Sequence, residues 1–253
     1  MATLERITVF PVKGLDGIDI ETAAILEGGT LEHDREFALF DAAGKVFNGK
    51  RTDKVHQLTV GFAPGAGELT VKTPGGDEYR FDLDAESDRA EDWFSGFFDE
   101  DLSLRRDRSL GFVDRREMGP SIVSTATLET IASWFEEVTA EGIRRRLRAN
   151  IEISGVDPFW EDRFVGEDAP TFEIGDVTIE GVTPCGRCVV PQRDPDTGDL
   201  DPAFRERFVN KREETFPEWA DSEAFEHYYT AMIIARIPGA QRGRILEVGD
   251  GVV

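Results

Sequence analysis

Cys185 and Cys188 are the only thiols in the chain, and they sit in the run Thr183-Pro-Cys-Gly-Arg-Cys-Val-Val-Pro-Gln-Arg-Asp-Pro-Asp-Thr-Gly-Asp199. Two cysteines at this spacing can serve zinc binding, dithiol exchange or single-thiolate ligation, and each makes a different demand on the surroundings. Structural zinc needs four ligands, and His33, His56 and His227 lack the paired spacing that would complete them. A redox dithiol needs its first cysteine at a helix N-terminus, where the dipole lowers the thiol pKa. Pro191 and Pro195 follow too soon for a long helix. Two readings stay open: one thiolate bound to a soft metal or cofactor from a rigid loop, with the adjacent Arg187 favouring the charged form, or two ordinary buried cysteines packed as small hydrophobes.

A second chemistry-bearing run is Arg144-Arg-Arg-Leu-Arg148. Arginine's planar fork suits phosphate, so the run reads as an anion site. It reads equally well as a solvated basic face paired with neighbouring acids.

Those residues must be positioned by a chain that is mostly short strands. Strands are expected at residues 4–10, 18–26, 31–40 and 46–48, with another following 52–59, and a hairpin at 68–83 around Pro74-Gly75-Gly76. A helix is expected over 85–98 and a strand over 102–106. The loop Arg108–Gly119 divides the chain into halves that pack together. Beyond it, a strand at 121–125 leads into a helix capped by Thr125 or Thr127. Leu128, Ile131, Trp134 and Phe135 of that helix form a core-facing stripe. The arginine run leads into a strand at 149–154, and two strands around Gly175-Asp176 deliver the chain to the cysteines. Helical or irregular structure follows over 205–216, and the chain closes on an apolar run at 231–235 and a strand near 242–250.

Composition sets outer limits. The net charge is -22, from 51 acidic and 29 basic residues, with lysine at only six positions. Such a field repels phosphate backbones and anionic membranes, which argues against both as partners. The acids are spread along the whole chain while lysine is depleted, a pattern that favours a salt-loving host over one cationic partner. No apolar run approaches the ~20 residues of a membrane span. The N-terminus starts at once on a strand pattern with no basic leader, so a cytoplasmic location is expected.

Several ordered motifs together resemble the MOSC domain, the molybdenum-cofactor sulfurase C-terminal domain, and specifically its amidoxime-reducing branch. They are Arg187-Cys-Val-Val-Pro191 with Asp194-Pro-Asp-Thr-Gly198, Phe10-Pro-Val-Lys13 with His33-Asp-Arg35, Arg146-Leu-Arg-Ala-Asn-Ile151, Glu161-Asp162 and Ile245-Leu-Glu-Val-Gly-Asp250. The resemblance implies a mainly β, α+β protein in which an N-terminal β-barrel domain (1–110) packs on a MOSC β-barrel domain (111–253) with a few helices. It implies molybdopterin in its monophosphate form as cofactor, with Cys188 the thiolate on molybdenum and Asp194 close to the metal loop as a second catalytic residue. Lys13, Arg35 and Arg148 match positions that hold phosphate and pterin. Asn150 matches a polar pterin contact, and Arg187 completes the cofactor-binding set. The implied activity is reduction of N-hydroxylated compounds, amidoximes and hydroxylamines, with electrons from a separate ferredoxin- or flavoprotein-like donor. A cofactor carrier or a sulfur-transfer protein using Cys188 is the alternative. Three departures stand out: Gly14 where many relatives have serine, Ala149 in place of proline, and Arg193 in place of a small apolar residue. The chain also has no further cysteines for an iron–sulfur domain.

Overall fold

A computed structural model describes residues 1–115 and 118–253. Residues 116 and 117, in the loop expected to divide the chain, lie outside the described residues. In chain order the first half comprises β1 (Thr3–Val9), β2 (Val12–Lys13), β3 (Ile18–Ile20), β4 (Thr22–Ala24), β5 (Phe37–Asp41), β6 (Thr59–Ala63), β7 (Glu68–Lys72), β8 (Glu78–Asp82), α1 (Ser87–Phe98) and β9 (Leu102–Arg106). The second half comprises β10 (Ser121–Ser124), α2 (Thr125–Ser133), α3 (Ala140–Leu147), β11 (Ile151–Ser154), β12 (Thr171–Ile174), β13 (Val177–Gly186), α4 (Phe204–Glu214), β14 (Thr230–Arg236) and β15 (Ile245–Glu247). This is a mainly β, α+β fold, as the short strands and turn signals imply.

The largest sheet runs β12-β13-β14-β10-β11-β1-β3, and smaller sheets are β2-β5-β9, β6-β7-β8 and β15-β4. The first strand therefore belongs to the sheet built mainly from the second half. Ile7 of β1 faces Ile151 of β11 on one side and Ile20 of β3 on the other. The apolar positions of β1, Leu4, Ile7 and Val9, are buried with Ile122, Ile151, Ile153 and Ile233 in one core. A second core gathers Phe37, Leu39, Phe81, Phe94 and Phe98 between the smaller sheets and α1. A third lies under α2, α3 and α4 and includes the expected stripe residues Leu128, Ile131 and Phe135, with Trp134 packed against it.

The named ladders are open sheets, and no continuous ladder of named strands closes a barrel among the described residues; the ring from β1 round to β12 is completed only by isolated bridges, Thr3 with Gly251 and Ile174 with Val252. Most strands are five residues or fewer, and the long β13 is interrupted by register shifts at Gly181/Thr183 and Pro184/Gly186. Such bulges bend a strand but also break its ladder. Glycine is required at the first of these, because a Cβ on Gly181 would lie 1.8 Å from the Phe164 carbonyl oxygen. The two sides of the main sheet are joined instead by the C-terminal tail. Leu4 N–H donates to the Asp250 carbonyl (2.8 Å) and Val252 N–H to Ala2 (3.0 Å), while Glu173 N–H donates to Val253 (2.8 Å) and Gly175 N–H to Gly251 (2.9 Å).

Two local expectations change. The cap of α2 is Ser124, whose hydroxyl accepts from Thr127 N–H at 3.1 Å, so neither Thr125 nor Thr127 does that work. The arginine run is the last turn of α3, where cations are favoured by the helix dipole.

Candidate functional site: a cationic cavity beside two thiols

β1 ends at Val9, and Phe10-Pro11 turns the chain into β2, whose residues pair in parallel with β5, Val12 with Phe37 and Lys13 with Ala38. This fixes Lys13 at the wall of a cavity of about 290 Å³. Its ammonium donates to the Phe112 carbonyl (2.6 Å) and to the Asp114 carboxylate. Gly14 follows with φ +95°, and a Cβ there would meet Asn48 at 3.0 Å. The glycine that departs from the family's serine is thus matched to its own backbone and neighbour.

Arg35 arrives from a tight loop in which His33 and Arg35 both take left-handed backbone angles, φ 67° and 54°. The loop is tied down by Arg35 N–H to the Phe10 carbonyl (2.8 Å) and Phe10 N–H to Asp34 Oδ1 (3.0 Å). Behind it, the buried Glu36 carboxylate takes hydrogen bonds from His33 (2.8 Å) and Arg106 (2.6 Å). Arg148 is the residue that ends α3, also left-handed at φ 61°. Its guanidinium lies 4.1 Å from the Phe10 ring centre and that of Arg35 lies 5.1 Å from it, so one ring carries two cations contributed by distant segments. Left-handed non-glycine residues cost of order 1–3 kcal/mol each and cluster where function demands a fixed geometry.

The cysteine loop supplies the facing wall, with Cys185, Arg187 and Cys188 all lining the cavity and both thiols free. Arg187 does not address Cys188. Its Nη1 donates to Cys185 Sγ at 3.0 Å and its Nη2 to the Leu147 carbonyl at 2.8 Å, while Nε is buried with no partner among the described residues. Arg187 follows directly on β13, its N–H still donating to the Tyr229 carbonyl at 2.9 Å. Cys185 lies within β13, one residue before its end, and not at a helix N-terminus, which removes the structural basis for a thioredoxin-like dithiol.

Asn150 lines the cavity but is mainly a clamp. Its Oδ1 accepts from Ser121 N–H (3.2 Å) and Ser121 Oγ (3.1 Å), and its Nδ2 donates to the Thr8 carbonyl (3.1 Å). Arg35 Nη1 reaches the same oxygen at 3.5 Å. Asp194 is not among the cavity-lining residues. It accepts the N–H groups of Asp196 (2.9 Å) and Thr197 (3.0 Å) and meets Arg146 at 3.4 Å. Burial would raise this carboxyl, but those donors hold it below the ordinary range. Arg193 is likewise spent within its own loop, donating to the Gly198 carbonyl at 2.9 Å.

The arginine run is now divided. Arg144 pairs with Glu152 (2.6 Å), Arg145 with Asp196 (2.6 Å), and Arg146 donates to the carbonyls of Pro191 (3.1 Å) and Arg193. Only Arg148 of the four lines the cavity. Arg146, buried and stacked on Phe204 at 5.3 Å, pins the loop after Cys188; the sequence reading placed it in the arginine run and in a family motif but gave it no such role. The one available signal was its place two residues before Arg148 on a helix-ending turn.

Among the described lining residues, six cations (Lys13, Arg35, Lys50, Arg115, Arg148 and Arg187) face two carboxylates, Asp34 and Asp114, an excess of four positive charges in a chain of net charge -22. Burial, then the charges of Arg35 and Arg187, push the Arg148 guanidinium down to about 10 despite Asp16 and Asp34. Cations crowded this closely against low-dielectric walls form an anion site. The donor set also fits a phosphate-bearing pterin: hard cationic donors and soft thiol sulfurs line the same cavity, and Arg187 Nε is buried with no partner among the described residues. No helix of the described chain is long and apolar enough to cross a membrane.

Residues 1–97 match the MOSC N-terminal beta barrel domain, and residues 116–253 match the MOSC domain. The chain is similar to mitochondrial amidoxime reducing component 2 of Bos taurus, at 22% identity over 241 residues, covering 79% of this chain and 69% of the relative. MOSC domains are associated with the molybdenum cofactor, and the cavity lies where β1 and β2 of the first matched segment meet the cysteine loop of the second. The cationic cavity, the thiols beside it and the match across more than half of the sequence lead to one conclusion: the chain belongs to the MOSC domain family.

Proposed function

We propose that this protein binds the monophosphate form of molybdopterin in the cavity described above, with Cys188 as the protein ligand to molybdenum, and that it reduces amidoximes and hydroxylamines there. The observation that supports the reading best is the convergence of Lys13, Arg35, Arg148 and Cys188, far apart in sequence, on one cavity. Lys13 and Arg35 would hold the phosphate by charge-assisted hydrogen bonds. Arg148, stacked on Phe10, would face the phosphate or pterin, and Asn150 would fix the strand crossing beneath them. Cys188 offers a soft sulfur ligand. Asp194 enters as the residue that shapes the loop after Cys188, with Arg146 behind it. When bound, the cofactor supplies two-electron oxygen-transfer chemistry at the metal; the protein supplies orientation, charge and exclusion of water. Electrons would come from a separate ferredoxin- or flavoprotein-like donor, and neither nucleic acid nor a membrane surface is a partner in this reading.

The test is metal and pterin content of natively purified protein. Both should be near one per chain, and Cys188→Ala should lose the molybdenum. Full metal occupancy in Cys188→Ala removes the ligand assignment. Bound cofactor without reduction of benzamidoxime by a strong artificial reductant would instead favour a carrier or sulfur-transfer role.

A further inference from the structure

The segment between the two halves enters the cavity wall and occupies the lysine that the proposed phosphate requires. Thr30 Oγ1 donates to the Leu110 carbonyl (3.0 Å), Phe112 N–H donates to the Arg35 carbonyl (2.7 Å), and the Phe112 ring packs edge-on against Phe40 at 5.3 Å. Two residues further on, Asp114 forms an ion pair with Lys13 and comes within 3.6 Å of the Lys50 ammonium. Lys13 also donates to the Phe112 carbonyl, so this segment takes two of its three ammonium hydrogens.

The two partners differ in accessibility. The Lys13 side chain is 12% exposed and that of Asp114 is 66% exposed. A carboxylate so open to water recovers its hydration when it leaves, whereas the buried ammonium needs a replacement anion. The Asp114 side chain is open to water on its outer side, but partial desolvation against the cavity works to raise its carboxyl; Lys13, Lys50 and Arg35 outweigh this and hold it below the ordinary range, so it is an anion at neutral pH. Asp34, the other carboxylate of the cavity, is 4% exposed and receives the Phe10 N–H, and it has no comparable freedom.

We propose that Asp114 is an internal competitor for the anion site: its carboxylate holds Lys13 until an incoming phosphate displaces it, and the Phe112–Asp114 segment then swings outward. This rests on the anion-pocket reading above, in which Lys13 holds phosphate. Its consequence is a threshold. A singly charged ion exchanges one charge for one and gains little, while a phosphate dianion or pyrophosphate can satisfy Lys13, Arg35 and Arg148 together. Asp114 thereby selects against chloride and carboxylates in favour of phosphate groups.

Calorimetric titration of the full-length protein with inorganic pyrophosphate tests this. Asp114→Asn should bind about 2- to 5-fold more tightly than the native protein, the upper part of the range expected for removing one partly exposed competing ion pair. The gain should vanish in a Lys13→Ala background, because direct competition needs the contested lysine. Pyrophosphate should also speed hydrogen exchange at residues 112–114 in the native protein. Equal affinities of the native protein and Asp114→Asn would overturn the competitor role while leaving the anion pocket intact. A gain that persists without Lys13 would also overturn it, by assigning the effect to the general field. No pyrophosphate binding by any variant would overturn the anion pocket itself and the competitor with it.

Discussion

Replacing Arg148 by glycine separates the anion site from the stability of the fold. Arg148 holds a left-handed backbone at φ 61°, which glycine adopts without strain. Relief there is worth of order 1 kcal/mol. Its guanidinium is pushed down to about 10 from the ordinary arginine range, first by burial and then by Arg35. A shift of that size corresponds to about 3 kcal/mol of disfavoured charge at neutral pH. Against these gains stand the hydrogen bond to the Leu15 carbonyl at 2.5 Å, worth about 1.5–3 kcal/mol for a charged donor, and the stacking on Phe10, worth about 0.5–2 kcal/mol. The opposing sums are comparable. Arg148→Gly should therefore leave the unfolding free energy within about 1–2 kcal/mol of the native value or raise it, while pyrophosphate affinity falls at least tenfold. Urea unfolding in phosphate-free buffer, repeated with pyrophosphate, measures both quantities. Ligand at ten times its Kd should stabilise the native protein by about 1.4 kcal/mol and the variant hardly at all. A stability loss above about 3 kcal/mol, or unchanged pyrophosphate affinity, would refute the reasoning by making Arg148 a structural residue.

Two further outcomes follow from the groups beneath the site. Glu161 is fully buried beside Asp162, whose ion pair with Arg212 is also buried, and burial followed by the Asp162 charge pushes the Glu161 carboxyl up to about 7. The folded chain then keeps a proton that the unfolded chain releases near the ordinary value of ~4.3. Stability should fall by about 3 kcal/mol as pH rises between those two values, and Glu161→Gln should flatten that decline in urea midpoints measured from pH 4.5 to 8. Asn150→Ala removes the clamp between Thr8 and Ser121 and leaves the buried groups of Ser121 short of an acceptor. A destabilisation of about 2–4 kcal/mol is expected in the same assay, with a loosened Arg35 lowering pyrophosphate affinity as a second readout.

The local signals in the chain were good guides to local structure. Pro74-Gly75-Gly76 marked the turn between β7 and β8, and the apolar spacing of residues 128–135 marked the buried face of α2. Helix α3 left almost no such signal, since Ala140-Glu-Gly-Ile-Arg-Arg-Arg-Leu carries only Ile143 and Leu147 on its inner face. The roles of the arginines were illegible for a deeper reason. Whether Arg144 meets Glu152 or a ligand depends on how β11 docks, and a one-residue difference along the turn separates the pinning Arg146 from its neighbours. Arg35 and Arg148 were singled out through family resemblance; nothing in either local stretch says that both will stack on Phe10. The same holds for Arg187, which adjacency assigned to Cys188 and which the folded loop turns toward Cys185. Side-chain direction follows from the backbone's local state, and that state was the uncertain quantity.

The path of β1 has a consequence for how the chain can be cut. Residues 3–13 pair first with β11 and then, through β2, with β5, so one short segment stitches together the sheets of both halves. A fragment beginning at residue 111 would keep β10 beside β11 but leave the far side of β11 as a bare row of unpaired N–H and C=O groups, flanked by Ile151 and Ile153 with their apolar cover gone. Such an edge is a template for pairing with another molecule. The first ten residues are in this sense the protective border of the second half, and the cation that the chain delivers into the cavity, Lys13, sits on β2 directly after the strand that keeps that half from aggregating.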